Sequence, residues 1–594
     1  MPFLPLTPEE LNSTPDFIIV TGDAYVDHPS FGTAVIGRVL EDAGFCVAII
    51  AQPDWHDTTD IEKFGAPRLA FLVNSGNVDS MVAHYTVAKK RRSSDYYSPG
   101  GASGKRPDRA VTVYCNLIRR AFGKVPIIIG GVEASTRRFA HYDYWTDKLR
   151  RSILIDSGAD LLTYGMGENI LRRIAFLLDK GVPIGKLRDV KGTCFVEKSG
   201  YTPKGEYEFC GEFDELCANK RSFAEAFKTQ YRNQDWSRGK ILVEGYGDRI
   251  VVHNPPMPPL TQKELDAVYE LPYERDYHPY YKKFGGVPAI DEVKFSITHC
   301  RGCYGNCNFC SIAFTQGRTV VSRSIESVVR EAKLLTALDG FKGYIHDVGG
   351  PTANFAAPIC ANQSAGKPCR DKECLYPSKC KNAVADHSRY LEMLRAVRAV
   401  KGVKKVFVRS GIRHDFVNAD KSDEFITELA LYHTGGQLRL APEHVSKKVL
   451  DAMGKPPFEE YEKFKQKFDA VSRSHGLDQY VLPYLMSSHP GSTMGCAVDL
   501  ALYLRKNRIK PEQVQDFYPT PGTASTCMFY TGIDPFTGKN VYVPRSPKQK
   551  AMQRALLQTY DPKNAPLIRQ ALAEAGRQDL EKYLVQGEKK RRKK

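Results

Sequence analysis

Thr298-His-Cys-Arg-Gly-Cys303-Tyr-Gly-Asn-Cys307-Asn-Phe-Cys310 is the stretch on which the reading of this 594-residue chain turns. It follows Glu292–Thr298, which reads as a strand. The spacing Cys-x3-Cys-x2-Cys puts three thiolates on one short loop. Three thiolates can hold three irons of a 4Fe-4S cube and leave the fourth iron open to an outside ligand. With 15 cysteines in the chain, chance gives that spacing roughly 0.01 times. The competing chemistry is zinc, with Cys300 joining Cys303 as a Cys-x2-Cys pair. Against it, the aromatic Phe309 stands directly before the last cysteine, where a zinc ribbon has no use for one.

Outward from that loop, a strand–helix unit repeats six times between about residues 290 and 560. Strands are expected at Glu292–Thr298, Gly343–Gly349, Lys404–Gly411, Gly436–Glu443, Asp478–Ser487 and Val514–Thr520. The helical periodicity falls between them at Ser324–Leu338, Asp386–Val400, Ser422–Tyr432, Phe458–His475 and Thr493–Lys506, with a sixth helix at Ser546–Tyr560. Six βα units suit an open parallel sheet or a partial barrel, and either puts the chemistry on loops after the strands. Upstream, Asp16–Val20, Cys46–Ile50, Leu69–Val73, Ile127–Ile129 and Ala159–Tyr164 are short apolar runs between helical stretches, the pattern of a parallel sheet. Gly130-Gly131 and Gly165-Met-Gly-Glu168 follow two of those strands, at the edge where doubly wound sheets bind ligands. The fold class is therefore α/β. Its expected parts are a Rossmann-like parallel-sheet domain over 1–185, a mixed linker region over 186–290, a core over 291–560 and a polar C-terminal region over 561–594 that ends in a basic tail.

Composition narrows the class. Apolar residues make up 42% of the chain, enough for two to four globular cores. No apolar run reaches the ~20 residues of a membrane helix, and no secretory signal is visible, so the cytoplasm is the expected compartment. Thiols stay reduced there, and clustered cysteines point to metal or redox chemistry. Net charge is +17, with Glu588–Lys594 strongly basic, which favours solubility or contact with a polyanion such as RNA.

The Cys-x3-Cys-x-aromatic-Cys signature resembles that of the radical S-adenosylmethionine (SAM) superfamily. Arg301-Gly302 before it and Gly317-Arg-Thr-Val-Val-Ser-Arg-Ser324 after it look alike too. The whole chain is most similar to the YgiQ family within that superfamily, through Asp23–Gly32, Gly349-Gly-Pro-Thr-Ala-Asn354 and Leu440-Ala-Pro-Glu-His444. The resemblance implies a partial (β/α)6 TIM-type barrel as the core. It also implies a 4Fe-4S cluster on Cys303, Cys307 and Cys310, with Phe309 beside it and SAM on the open iron. Reductive cleavage of SAM and hydrogen abstraction from a substrate would follow, with a one-electron donor such as flavodoxin or ferredoxin as partner. A Gly-Gly motif at the second strand's end contacts the methionyl group in such enzymes, which selects Gly349, Gly350 and Pro351. Arg409 and Ser410 end the third strand and can hydrogen-bond ribose or carboxylate. Glu443 ends the fourth and resembles a superfamily glutamate, or else pairs with Arg439. The first domain looks like a cobalamin-binding one. The base-off motif Asp-x-His-x-x-Gly is not matched, however, because the chain has Asp27-His28-Pro-Ser-Phe-Gly32, so a histidine ligand to cobalt is unsupported.

A second group, Cys360, Cys369, Cys374 and Cys380, lies in an insertion after the second strand. Four thiolates within 21 residues can hold zinc or an auxiliary 4Fe-4S cluster, and spacing does not separate the two. Three functions are open on the sequence: a radical SAM enzyme of unknown substrate, an enzyme of that kind acting on RNA, or a non-enzymatic Cys-rich zinc protein that binds nucleic acid.

Overall fold

Every residue of Phe17-Ile-Ile-Val-Thr21 is buried, and the run divides its side chains between two cores. Phe17 and Ile19 pack with Val47, Ile49 and Leu72, while Ile18 and Val20 pack with Ala48, Ile50 and Phe71. Alternate residues point to opposite faces, so a continuous apolar run is what a sheet covered on both faces demands. The computed structural model describes residues 2–369, 373–511 and 514–585.

The first sheet has nine strands: β1 (Phe17–Thr21), β2 (Val47–Ala51), β3 (Ala70–Asn74), β4 (Ile127–Ile129), β5 (Leu161–Thr163), β6 (Thr193–Lys198), β7 (Tyr207–Glu212), β8 (Ile241–Tyr246) and β9 (Arg249–His253). Their order is β7-β8-β9-β6-β5-β4-β3-β1-β2, and the run β5-β4-β3-β1-β2 is parallel throughout. The order reverses between β1 and β3, which opens a crevice at their C-terminal ends.

The stretch 186–290 is not a linker: it supplies β6 to β9 to that same sheet. Thr193–Lys198 pairs antiparallel with Arg249–His253, across more than fifty residues of sequence. Loop-rich composition hid strands whose partners lie far along the chain. The end of this stretch clamps the next unit, through Arg275 to Glu331 at 2.7 Å and the Ser324 amide donating to Asp266 at 2.9 Å.

The core follows as β10 (Ser296–Thr298), β11 (Tyr344–Ile345), β12 (Asp347–Gly349), β13 (Lys405–Val406), β14 (Gln437–Glu443), β15 (Tyr480–Ser487) and β16 (Gln515–Asp516). The pairs β10·β12, β11·β13, β14·β15 and β15·β16 are all parallel. Helices at Ile325–Thr336, Ser388–Arg398, Glu424–Glu428, Phe458–Ser474, Met494–Lys506 and Pro547–Leu557 alternate with the strands. Phe458–Ser474 shows why they pack: Tyr461, Phe464, Phe468 and Ser472 are buried at helical spacing.

Three strands are much shorter than expected, the sixth keeping only Gln515–Asp516 of Val514–Thr520. The first begins at Ser296 because Ile290–Val293 is a helical turn. The third keeps a ladder only at Lys405–Val406, beyond which Phe407 and Val408 donate singly to Ile345 and His433.

The C-terminal region is less polar than expected. Ile568, Ala571, Leu572 and Leu584 are buried against Met494, Val498 and Met552. The basic tail Glu588–Lys594 lies outside the described residues. Among the described residues no helix is long and apolar enough to cross a membrane.

Candidate functional site

The cysteine loop leaves the C-terminal end of β10 and is closed at its base by a short antiparallel bridge, Cys300-Arg301 to Val321-Ser322. Gly302 turns the chain with φ +82°, and a Cβ there would lie 2.9 Å from the Thr319 carbonyl carbon and nearer its oxygen. Only glycine has that freedom at no steric cost. The Cys303 amide donates to Gly317 at 3.1 Å and the Cys310 amide to Cys307 at 3.0 Å, so the loop folds back on itself. All three thiols are half-buried.

Polar groups already face the sulfurs. The Gly305 amide donates to Cys303 Sγ at 3.4 Å, Thr352 Oγ1 lies 3.4 Å from the same sulfur, and Arg413 Nη1 donates to Cys307 Sγ at 3.5 Å. Burial pushes the Cys310 thiol up to about 12, with the Cys307 sulfur adding to the shift. Such a thiol ionises when a cation takes the proton's place. Among the described residues no three Cys, His, Asp or Glu side chains gather as they would around one ion. A cube sets each thiolate on its own iron, several ångströms from the next. The zinc reading would add Cys300 to Cys303. Cys300 is buried against Gly350, and its Sγ lies 3.9 Å from the Thr352 carbonyl oxygen.

A cavity of about 650 Å³ opens between the first sheet's C-terminal edge and the ends of the first three core strands; it meets the cysteine loop at its flanks, Cys300-Arg301, Ile312 and Gln316, while Cys303, Cys307 and Cys310 do not line it. Gly349, Gly350, Pro351, Arg409 and Ser410 all line it. Asp347 ties them together: its carboxylate accepts the amides of Arg409 at 2.8 Å and Ser410 at 3.2 Å, and the Ser410 hydroxyl. Burial raises the Asp347 pKa, and these hydrogen bonds hold it back. From the first domain, Thr33, Asn74, Gly130, Gly131, Gly165 and Glu168 line the other wall. Glu168 forms a buried ion pair with Arg301, and this pair joins the two units at the cavity.

Phe309 and Glu443 lie elsewhere, on the flank of the cysteine loop away from the cavity lining. Glu443 ends β14 with φ +67° and is buried beside Lys455 at 3.8 Å; Lys455 Nζ is also 6.0 Å from the Phe309 ring. Burial raises the Glu443 pKa and Lys455 opposes it. Arg439, its expected partner, reaches Tyr484 Oη instead. His28 is buried, accepts the Ser30 amide at 3.1 Å, and is absent from the cavity wall, although Pro29 and Ser30 line it.

Sequence reasoning missed Arg413. It is buried, pairs with Asp415 at 2.7 Å, and accounts for the only guanidinium contact to a loop sulfur among the described residues. Its signal was its place in the loop after the third strand, three residues past Ser410. Lys455 and Thr352 were missed for the same reason: each is distant from the cysteines in sequence.

Of the second cysteine group, Cys360, Cys374 and Cys380 pack against Tyr304 and Phe355 beside the first loop, while Cys369 is exposed.

Residues 297–481 match the radical SAM superfamily, 3–296 the radical SAM N-terminal family, and 512–591 a domain of unknown function. A UPF0313 protein of Clostridium botulinum is 55% identical over 584 residues, covering 98% of this chain and 91% of that one. A UPF0313 protein of Clostridium perfringens is 55% identical over 565 residues, 95% of this chain and 85% of that one. The structure of the cobalamin-dependent S-adenosylmethionine radical enzyme OxsB with aqua-cobalamin bound is similar in fold, with a TM-score of 0.51 at 12% identity over 96% of this chain and 73% of that one.

Proposed function

This chain belongs to the UPF0313 (YgiQ) family of radical SAM proteins, and from that membership we propose that Cys303, Cys307 and Cys310 carry its 4Fe-4S cluster while the adjoining cavity receives SAM. The family uses both cofactors and a one-electron donor. When bound, they supply reductive cleavage of SAM and hydrogen abstraction. The observation that carries the reading is the loop itself: three thiols after the first core strand, met by amide and guanidinium donors, with Thr352, the residue after Pro351, 3.4 Å from Cys303 Sγ.

The chain's own groups divide the work. The three thiolates would hold three irons, with Phe309 as apolar cover over the loop. Arg413 would offset the negative charge gathered there. Gly349 and Gly350 would let backbone approach the methionyl group, and Pro351 would fix the turn that follows. Arg409 and Ser410, held by Asp347, would hydrogen-bond carboxylate or ribose. Glu443, neutralised by Lys455, would close the far side of the loop. His28 is buried and absent from the cavity wall, so it offers no ligand to a cobalt placed there.

The test is SAM cleavage by anaerobically reconstituted protein under a chemical reductant. Cys307→Ala should make no 5′-deoxyadenosine while keeping its helical circular dichroism. Wild-type yield from that variant would overturn the assignment.

An RNA substrate is favoured by one surface. Lys89, Lys90, Arg91 and Arg92 are consecutive and exposed, and Lys89 lies 4.9 Å over the Tyr144 ring, where Lys550 also sits at 5.0 Å. A run of four exposed cations suits a polyanion, while the Tyr144 ring beneath Lys89 is itself buried. Replacing all four by Ser should weaken RNA retention and flatten its salt dependence. Unchanged retention would remove this reading.

A further inference from the structure

The insertion between the second core strand and its helix is anchored where it meets the cluster loop. Asn306, inside the first loop, donates to Glu373 Oε2 at 2.6 Å, and Tyr231 Oη donates to Glu373 Oε1 at 2.8 Å. Tyr304 stacks on Phe355 with ring centroids 3.8 Å apart, and this pair shares a small core with Ile359, Leu375 and Ala383. Cys303 from the first loop and Cys360, Cys374 and Cys380 from the insertion all border that one core.

The insertion also closes on itself. The Val384 amide donates to Ile359 at 2.9 Å, the Ala383 amide to Cys380 at 2.9 Å, and the Cys380 amide to Cys374 at 2.9 Å. Cys360 begins the turn of helix Ala361–Ser364, whose Gln363 Nε2 lies 3.8 Å from Cys374 Sγ. Three thiol-bearing positions are thereby drawn into one knot, and Cys369 stands at its exposed rim. The knot's core is small, and Glu373 lies beside its Cys374. A segment this poor in apolar side chains gains order chiefly from a ligand that cross-links it.

We propose that Cys360, Cys369, Cys374 and Cys380 hold a second, fully ligated 4Fe-4S cluster beside the first. Cys360, Cys374 and Cys380 border that core, and Cys369 at the rim is close enough for its charge to bear on Cys374, so four thiolates stand together beside a loop already read as a cluster site. Filled by four thiolates, that cluster has no open iron. It would brace the insertion against the first loop through Asn306 and Glu373, and it would exchange electrons with the neighbouring cluster without binding SAM.

The experiment uses the full chain, reconstituted anaerobically with ferrous iron and sulfide. Wild type should bind about eight irons and eight sulfides, since each cube holds four. A Cys303→Ala/Cys307→Ala/Cys310→Ala variant should keep about four and should not respond to SAM in its electron paramagnetic resonance spectrum. Cys374→Ser/Cys380→Ser should keep about four that do respond. Cys369→Ser, altering an exposed position, tests the same site where the double variant fails to fold, and should also lose iron. The proposal is overturned if wild type binds only four irons, if the triple variant binds none, or if purified protein carries one zinc that Cys369→Ser releases. The triple variant separates this proposal from the one it rests on, because loss of the first cluster alone leaves the second to be counted.

Discussion

Gly349→Ala probes the close packing of the cavity wall. A Cβ at that position would lie 2.7 Å from Ser410 Cβ, and closer still to the Ser410 hydroxyl and an Asp347 oxygen. No flexible side-chain end is available to yield, because Asp347 is fixed by two amides and a hydroxyl. Overpacking of this kind costs about 1–3 kcal/mol, and breaking the Ser410–Asp347 hydrogen bond adds about 1.5 kcal/mol or more. A total near 3 kcal/mol lowers the Tm of a unit the size of the core by roughly 5 °C. The methyl group also fills space that the methionyl group needs, so SAM should bind about tenfold to a hundredfold more weakly. Differential scanning calorimetry and equilibrium dialysis of reconstituted protein with labelled SAM measure the two effects. Adding Ser410→Gly removes the hydroxyl and the Cβ that the new methyl would strike and frees Asp347 of its hydroxyl tie, so the double variant should lose less than the two single losses added together. If Gly349→Ala melts and binds SAM like wild type, the wall is not packed as described and its glycine has no steric role.

Three further outcomes follow from other sites. Burial raises the pKa of Glu244 to about 7, opposed by hydrogen bonds from Tyr246 and the Ala140 amide. The folded chain keeps this proton between about pH 4.5 and 7 while the unfolded chain loses it, so the stability it contributes is present below pH 4.5 and lost as pH rises through 7. Glu244→Gln should therefore be more stable than wild type at pH 8, on the order of 3 kcal/mol, and equal to it near pH 4.5; parallel urea midpoints at both values would refute this. Arg301→Met leaves Glu168 buried without its cation and should lose about 3–5 kcal/mol, recovered largely by adding Glu168→Met. Unfolding curves in which the double variant is no better than the single would show that the pair is not coupled. Arg413→Gln removes a cation 3.5 Å from Cys307 Sγ and should lower the midpoint potential of the first cluster in a spectroscopic redox titration at unchanged iron content. An unaltered potential would reduce Arg413 to a packing role.

The reading from sequence reached furthest where the signal was local. The βα alternation placed all six core strands, because a covered strand must be an apolar run and a packed helix must bury one stripe. The same logic reached Gly130-Gly131 and Gly165–Glu168, which stand on the cavity wall. It failed over 186–290, where four strands owe their pairing to partners elsewhere in the chain. It failed again past residue 561, where few apolar positions suffice to seat a helix against Met494 and Met552.

By itself, then, the sequence determined the cysteine loop, its position after a strand, the layered α/β class and the residues that end each core strand. Tertiary structure alone decided which of those ends share one cavity: Gly349 to Pro351 and Arg409-Ser410 do, Glu443 does not. It also decided the partners that no periodicity records, Arg413 for Cys307 across 106 residues and Glu373 for Asn306 across 67. The reason is physical. Backbone geometry repeats every two or 3.6 residues and leaves its imprint in nearby sequence, whereas charge pairing and cavity walls depend on which surfaces packing brings together.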